Sequence, residues 1–167
     1  MKKILLITLL LSLPTIAQAE LKIAVVDLQK ALATSNAGKK AQADYKKEVE
    51  QAQKSINTKK KDFEEKRASL KKLKDSLNKK AIQKKTNEIT KIEKELQKSY
   101  RESQQNLRKK NATVVSDLIK KMRVVIEKIG SEEKFSLILE KGSQALLYSA
   151  GTEDVTDKVV SRFNSGK

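Results

Sequence analysis

Residues 70–92 read LKKLKDSLNKKAIQKKTNEITKI, and the spacing of their apolar side chains decides how the chain is built. Leu70, Leu73 and Leu77 stand three and four apart, while Ile82, Ile89 and Ile92 stand seven and three apart. Each set marks one narrow stripe along a helix of 3.6 residues per turn. Between the two sets, Leu77 to Ile82 is a step of five, which keeps neither face in line. Asp75, Ser76 and Asn78 gather at the same place, and these short polar side chains compete for the backbone hydrogen bonds that a helix needs. The pattern predicts two antiparallel helices with a tip between Asp75 and Lys80. A single rod with a stutter is the alternative, and no Gly or Pro marks the turn.

The stripe continues outward on both sides, through Val49, Ala52, Ile56 and Phe63 before the tip and Leu96, Tyr100 and Leu107 after it. From Lys39 to Asn111 there is neither Gly nor Pro, and 24 Lys/Arg face 11 Asp/Glu. Residues 20–38 are neutral in sum and residues 112–167 carry +1, so nearly all of the chain's +16 lies on this one segment. As a rod it would reach roughly 110 Å, and as a hairpin about half that.

The flanks read differently. Lys22 to Asp27 is a short β-branched run suited to a buried strand. Leu28 to Leu32 suits a turn or two of helix, and Thr34, Ser35, Asn36 and Gly38 form a breaker cluster before a helix entering at about Ala37. On the far side, Val114, Val115, Leu118, Ile119, Met122, Val125, Ile126 and Ile129 make a stripe much wider than the arm's. Such width belongs to a helix packed on a core. Gly130 is expected at its left-handed C-cap. Two strands are expected next, Phe135 to Leu139 and Ala145 to Ser149, with Gly151 ending the second. Asp154 or Thr152 then caps a last helix with Val155, Val159, Val160 and Phe163 on one face.

The expected class is therefore α+β: a long antiparallel helical hairpin, a coiled-coil arm, projecting from a small β body assembled from several subunits. Residues 39–112 form the arm, and residues 20–38 with 113–167 form the oligomerisation body. One copy has too few residues to bury much and would leave strand edges open. Sharing strands between copies solves both problems, with Ile23, Val25, Phe135, Leu137, Leu139, Leu147 and Tyr148 as the interface candidates. A monomer with a thin head is the alternative.

Residues 1–19 are set apart from this scheme. Lys2 and Lys3 precede an apolar run from Ile4 to Leu13, followed by Pro14 and Ala17-Gln18-Ala19. A basic start, a core too short to span a bilayer and an A-x-A end are the parts of a cleavable secretory signal. Cleavage is expected between Ala19 and Glu20, delivering a soluble periplasmic protein. An uncleaved anchor is the competing reading.

Composition excludes several activities. No cysteine means no disulfide. No histidine or cysteine removes the usual zinc ligands and the commonest general base. No Gly-rich phosphate loop is present. No metal or cofactor is expected. A Ser/Lys dyad stays open because both residue types are plentiful, yet no spacing picks one out. The Asp and Glu residues sit among lysines on helical faces and read as solvated ion pairs. The chain does not read as an enzyme.

A resemblance is carried by the order of several segments: the signal, the strand from Lys22 to Asp27, and Ser35-Asn36-Ala37-Gly38-Lys39. The long basic hairpin follows, then Phe135-Ser-Leu-Ile-Leu-Glu140, Tyr148, and Asp154-Val155-Thr156 opening a final helix. Over the whole exported chain this layout resembles the Skp/OmpH family of periplasmic chaperones, from which it departs in the density of lysine near the tip. The resemblance implies a homotrimer with a central strand body and three helical hairpins around a cavity. It also implies a holdase that needs no ATP and keeps unfolded outer-membrane β-barrel proteins from aggregating.

The arm's chemistry suits that task independently. Thr58 to Thr86 carries 12 basic and 4 acidic residues, a density that opposes close packing of arm against arm. The basic candidates for client or anionic-lipid contact are Lys59, Lys60, Lys61, Lys66, Arg67 and Lys71 on one limb. Lys72 and Lys74 complete that limb, and Lys79, Lys80, Lys84 and Lys85 lie on the other. Among them stand the apolar candidates Phe63, Leu70, Leu73, Leu77, Ile82, Ile89 and Ile92. Most of that apolar surface pairs limb with limb; what stays open offers weak contacts whose sum holds a chain of alternating apolar residues. An anionic membrane or lipopolysaccharide fits the same surface.

Nucleic acid is the sharpest rival, since a pI near 9.9 is its electrostatic footprint. Against it stand the export signal, the five arginines among 37 basic residues, and the lack of interleaved aromatic platforms. A structural coiled coil bridging the envelope, with no client, is the other rival.

Overall fold

The structure is a computed structural model and describes residues 21–166. The expected signal and its cleavage position at Ala19 and Glu20 lie outside the described residues. In chain order the elements are β1 (Ile23–Val26), α1 (Leu28–Thr34), α2 (Asn36–Leu73), a 3-10 turn (Lys74–Ser76) and α3 (Lys79–Glu132). They are followed by β2 (Leu137–Glu140), β3 (Glu153–Asp154) and α4 (Thr156–Ser165). No helix among the described residues is long and apolar enough to cross a membrane.

Three short polar residues set where the first three helices begin. The Asp27 carboxylate accepts from the Lys30 N–H at 2.8 Å, Ser35 Oγ from Gly38 N–H at 3.1 Å, and Asn78 Oδ1 from Ala81 N–H at 2.8 Å. Each satisfies one of the amides that a helix start leaves without an internal partner. Asn78 follows the 3-10 turn, so the chain reverses at the step of five. The hairpin is what forms; the rod does not.

The return helix α3 is continuous over 54 residues, from the tip into the body. Two sequence expectations need correction here. Gly130 does not cap α3, because the helix continues to Glu132 and Lys134 takes the left-handed backbone, with φ 57°. The Phe135 N–H donates to the Gly130 carbonyl at 2.9 Å and the Lys134 N–H to the Ser131 carbonyl at 3.4 Å. This is a Schellman ending in which glycine sits three residues inside the helix and lysine bears the unfavourable φ. A side chain at 130 would meet Ile138 at an ordinary 3.5 Å, so nothing about the backbone forces the helix to stop there.

The expected strand at Ala145–Ser149 does not form either. The sheet has the order β2-β1-β3 and is parallel throughout, with Ile23 opposite Leu137 and Ala24 opposite Glu153. Both edges of β1 are thereby taken, one of them by the two-residue β3. Residues 143–152 instead close on themselves through Leu146 N–H to the Ser143 carbonyl and Thr152 N–H to the Ser149 carbonyl. Apolar density alone gave the strand signal at 145–149, and β1, the central strand, has no edge left to pair with it.

Alternation along the strands sorts the body into two faces. Ala24, Val26 and Ile138 pack against Val125 and Ile129 of α3 and against Val155, Val159 and Phe163 at α4. Ile23, Val25, Leu137 and Leu139 share the opposite face, by register. The last helix is fastened to this sheet by a polar relay. The Asp27 N–H donates to Thr156 Oγ1 at 2.8 Å, and Thr156 donates through Oγ1 and its N–H to Asp154 Oδ1. Lys141 Nζ donates to Asp154 Oδ2 at 2.7 Å.

The hydrogen bond from Lys141, then those from Thr156, hold the Asp154 carboxyl at a pKa of about 2, below its ordinary 3.8. A depressed carboxylate stabilises the fold above its unfolded pKa and loses that contribution as pH falls through the folded one. The carboxylate is 42% exposed, so solvent screening leaves about 1 kcal/mol. Wild type is expected to exceed Asp154→Asn by about 1 kcal/mol at neutral pH. In urea titrations the gap should close between about pH 4 and pH 2; a gap that persists at pH 2 would assign the effect to shape rather than charge.

Candidate functional site

The arm is built without a core of its own. In α2 the only buried residue is Gly38, and in α3 the buried residues are Met122, Val125 and Ile129, all at the body end. Everything between Gly38 and Met122 keeps contact with solvent. A thin stripe is the cause: one apolar residue per turn covers a seam between two helices but cannot seal it.

The sequence-predicted apolar residues all lie along this seam. Phe63, Leu70, Leu77, Ile82, Ile89 and Ile92 are half-buried, and Leu73 is exposed. Of the basic candidates, Lys59, Lys60, Lys61, Lys66, Arg67, Lys71, Lys72, Lys74, Lys79, Lys80 and Lys84 are exposed and Lys85 is half-buried. A groove at the tip brings five of these candidates together, with Arg67, Leu70 and Lys71 on α2 and Lys74 in the 3-10 turn opposite Ile82 on α3. Lys61 and Lys66 pair one turn away with Glu65 and Asp62, both at 3.8 Å. Lys71, Lys72, Lys74, Lys79 and Lys80 make no ion pair among the described residues, so the tip's field is uncompensated.

Two polar bridges tie the limbs together lower down. Lys59 Nζ donates to Ser99 Oγ at 2.7 Å, and Lys110 Nζ lies 3.2 Å from Glu48 Oε2. The first is the one place where the arm juxtaposes serine and lysine closely, on an exposed surface where lysine donates to the hydroxyl as a strut.

The interface candidates divide. Ile23, Val25, Leu137 and Leu139 are brought onto one sheet face, yet Val25 is only 2% exposed and is already covered within its own chain. Phe135 packs on its own core, with Lys22 Nζ 3.9 Å above the ring. Leu147 and Tyr148 are 93% and 83% exposed on the turn-rich segment after β2. Sequence reading did not include Tyr45, Val49, Tyr100 and Leu107 among the site residues. They line a groove on one side of the lower arm, and the continuation of the stripe through Val49, Tyr100 and Leu107 was the signal that could have found them.

The OmpH-like outer membrane protein family matches residues 22–163. The fold is similar to that of a protein from Caulobacter crescentus CB15 described as an outer membrane chaperone (OmpH-like). That likeness has a TM-score of 0.80 at 16% identity and covers 87% of this chain and 85% of the other. No curated protein sequence matches the chain. Since the family match takes in both strands of the longer sheet pairing, the whole arm and most of the last helix, the chain belongs to the OmpH-like outer membrane protein family.

Proposed function

We propose that this protein is an ATP-independent holdase of the periplasm. Three copies join through the sheet face of the body, residues 20–38 with 113–167, and their basic arms, residues 39–112, surround a cavity. Unfolded outer-membrane β-barrel proteins are held there against aggregation on their way to the outer membrane. The family is one of chaperones and not of enzymes, which supports a role toward outer membrane proteins.

The observation that carries the reading is an arm with no buried side chain between Gly38 and Met122. A structural coiled coil buries its seam against a partner, whereas this seam stays partly open along its length. Many half-open apolar contacts, each weak, retain a chain by their sum without fixing its conformation. The unpaired tip lysines add an attraction that is long in range and screened by salt. Release then needs only a competing fold or membrane.

The test is to dilute a urea-unfolded outer-membrane β-barrel protein into buffer with and without this protein and to follow turbidity. Stoichiometric suppression is expected, and undiminished aggregation would end the holdase reading. A variant with Lys71, Lys72, Lys74, Lys79 and Lys80 all changed to Gln should keep its oligomeric state. It should bind the client about tenfold more weakly at low salt, from five exposed charges at about 0.3 kcal/mol each. At about 0.5 M salt the difference should largely vanish.

A further inference from the structure

The two sides of the hairpin differ in chemistry, and the difference runs for about half the arm. On one side a hollow at the arm's root and a groove above it join at Tyr45, which lines both. Their volumes are ≈ 340 and ≈ 270 Å³. Arg108 is the one charged residue lining either. The rest is aliphatic or aromatic, interspersed with uncharged hydrogen-bonding groups such as Gln29, Gln42, Gln53 and Gln104. On the other side of the same seam, Asp44, Glu48, Lys59, Glu102 and Lys110 line the grooves, and the two limb-to-limb struts cross there. In a chain that is 35% charged, so uncharged a strip is not what a solvated helical face produces.

Resting on the holding role proposed above, we infer that the uncharged side of the lower arm is the client-contacting side and that its occupant is an extended, uncharged stretch of unfolded polypeptide. Length agrees: Gln42 to Ile56 spans about 21 Å at 1.5 Å per residue. That is room for about six residues of extended chain. Chemistry agrees as well, because a membrane-spanning strand alternates apolar with polar residues, and the strip offers apolar and uncharged polar groups side by side.

The polar groups in the strip separate a client from a neighbouring arm. A helix presents a backbone already bonded to itself, so an adjacent arm could answer the Gln53 and Gln104 amides with side chains alone. An unfolded chain brings a free N–H and C=O at every residue. Gln104 Nε2 already donates to Tyr100 Oη at 2.7 Å, which leaves the tyrosine hydroxyl hydrogen and the Gln104 carbonyl for such a backbone. Tyr100 is 48% exposed at the rim, with its ring free to cover an apolar side chain.

The chain contains no cysteine, so single-cysteine variants report cleanly. Gln53→Cys lies in the uncharged groove and Ser55→Cys in the charged one. Each is labelled with a benzophenone maleimide and illuminated with a urea-unfolded eight-stranded outer-membrane β-barrel protein. The expected result is at least about tenfold more client adduct from position 53 than from position 55. Equal yields, or more from 55, overturn the inference. So does an adduct between two copies as the main product from 53, which would make the strip an arm-to-arm interface. A second pair, Val49→Lys and Gln51→Lys, adds one charge to each side; only the first should weaken client binding. If client adducts form but favour position 55, the holding role stands and the choice of side falls. If neither position yields adduct and the unlabelled protein leaves turbidity unchanged, the holding role itself has failed.

Discussion

Gly38→Ala is expected to destabilise the protein by about 3 kcal/mol or more, although alanine is the better helix former. A Cβ at position 38 would stand 1.7 Å from the Leu32 carbonyl oxygen and 2.8 Å from its carbon. Both are backbone atoms and cannot swing aside. To relieve the clash, α1 must part from α2, which breaks the two bonds of buried Ser35. Its Oγ donates to the Leu32 carbonyl at 3.0 Å and accepts from the Gly38 N–H at 3.1 Å. Each group left unsatisfied costs about 1–3 kcal/mol, whereas alanine regains at most about 1 kcal/mol of helix propensity. The loss wins. Urea unfolding followed by circular dichroism measures it, and a variant as stable as wild type would mean that the corner between α1 and α2 is looser than described.

Leu137→Asp is expected to have its effect on assembly rather than on the single chain. Leu137 lies on the sheet face away from the helices and is 46% exposed in one copy, so a carboxylate there costs the monomer little. If that face joins three copies, as proposed, the same change puts a charge into the contact three times over. An unpaired charge so placed costs several kcal/mol. Light scattering should show the mass falling from three chains to one while the helical signal is kept. An unchanged mass would remove this face from the interface and leave the exposed Leu147–Tyr148 segment to account for assembly.

How much of this was legible beforehand depended on whether the deciding interaction was local. The hairpin was readable because a step of five at Leu77–Ile82 disturbs a 3.6-residue period, and Asn78 is a cap by its own chemistry. The first strand was readable from a run of β-branched residues. Gly130 misled because glycine favours the left-handed position, yet where a helix stops depends on what its last turn packs against; here Lys134 bears the cost. Ala145–Ser149 misled because apolar density signals burial without naming a partner. Likewise Val25 and Leu137 sit on one face in register, and only the packed chain tells that the first is covered and the second open. The uncharged strip escaped notice because periodicity locates a seam but not its two sides, which residues such as Gln53 and Gln104 distinguish.

The parallel pairing of β1 has a consequence for how the molecule forms. Ile23 must wait for Leu137, and Ala24 for Glu153, so the sheet closes last, once nearly the entire polypeptide is available. The reversal at Lys74–Asn78, by contrast, is close in sequence to the limbs that it joins. Zippering of the limbs from that point downward shortens the loop that β1 and β2 must close and lowers its entropic cost. The projecting part is thus the scaffold on which the compact part is completed, and a polypeptide stalled before residue 137 would have a formed arm and nothing yet to anchor it.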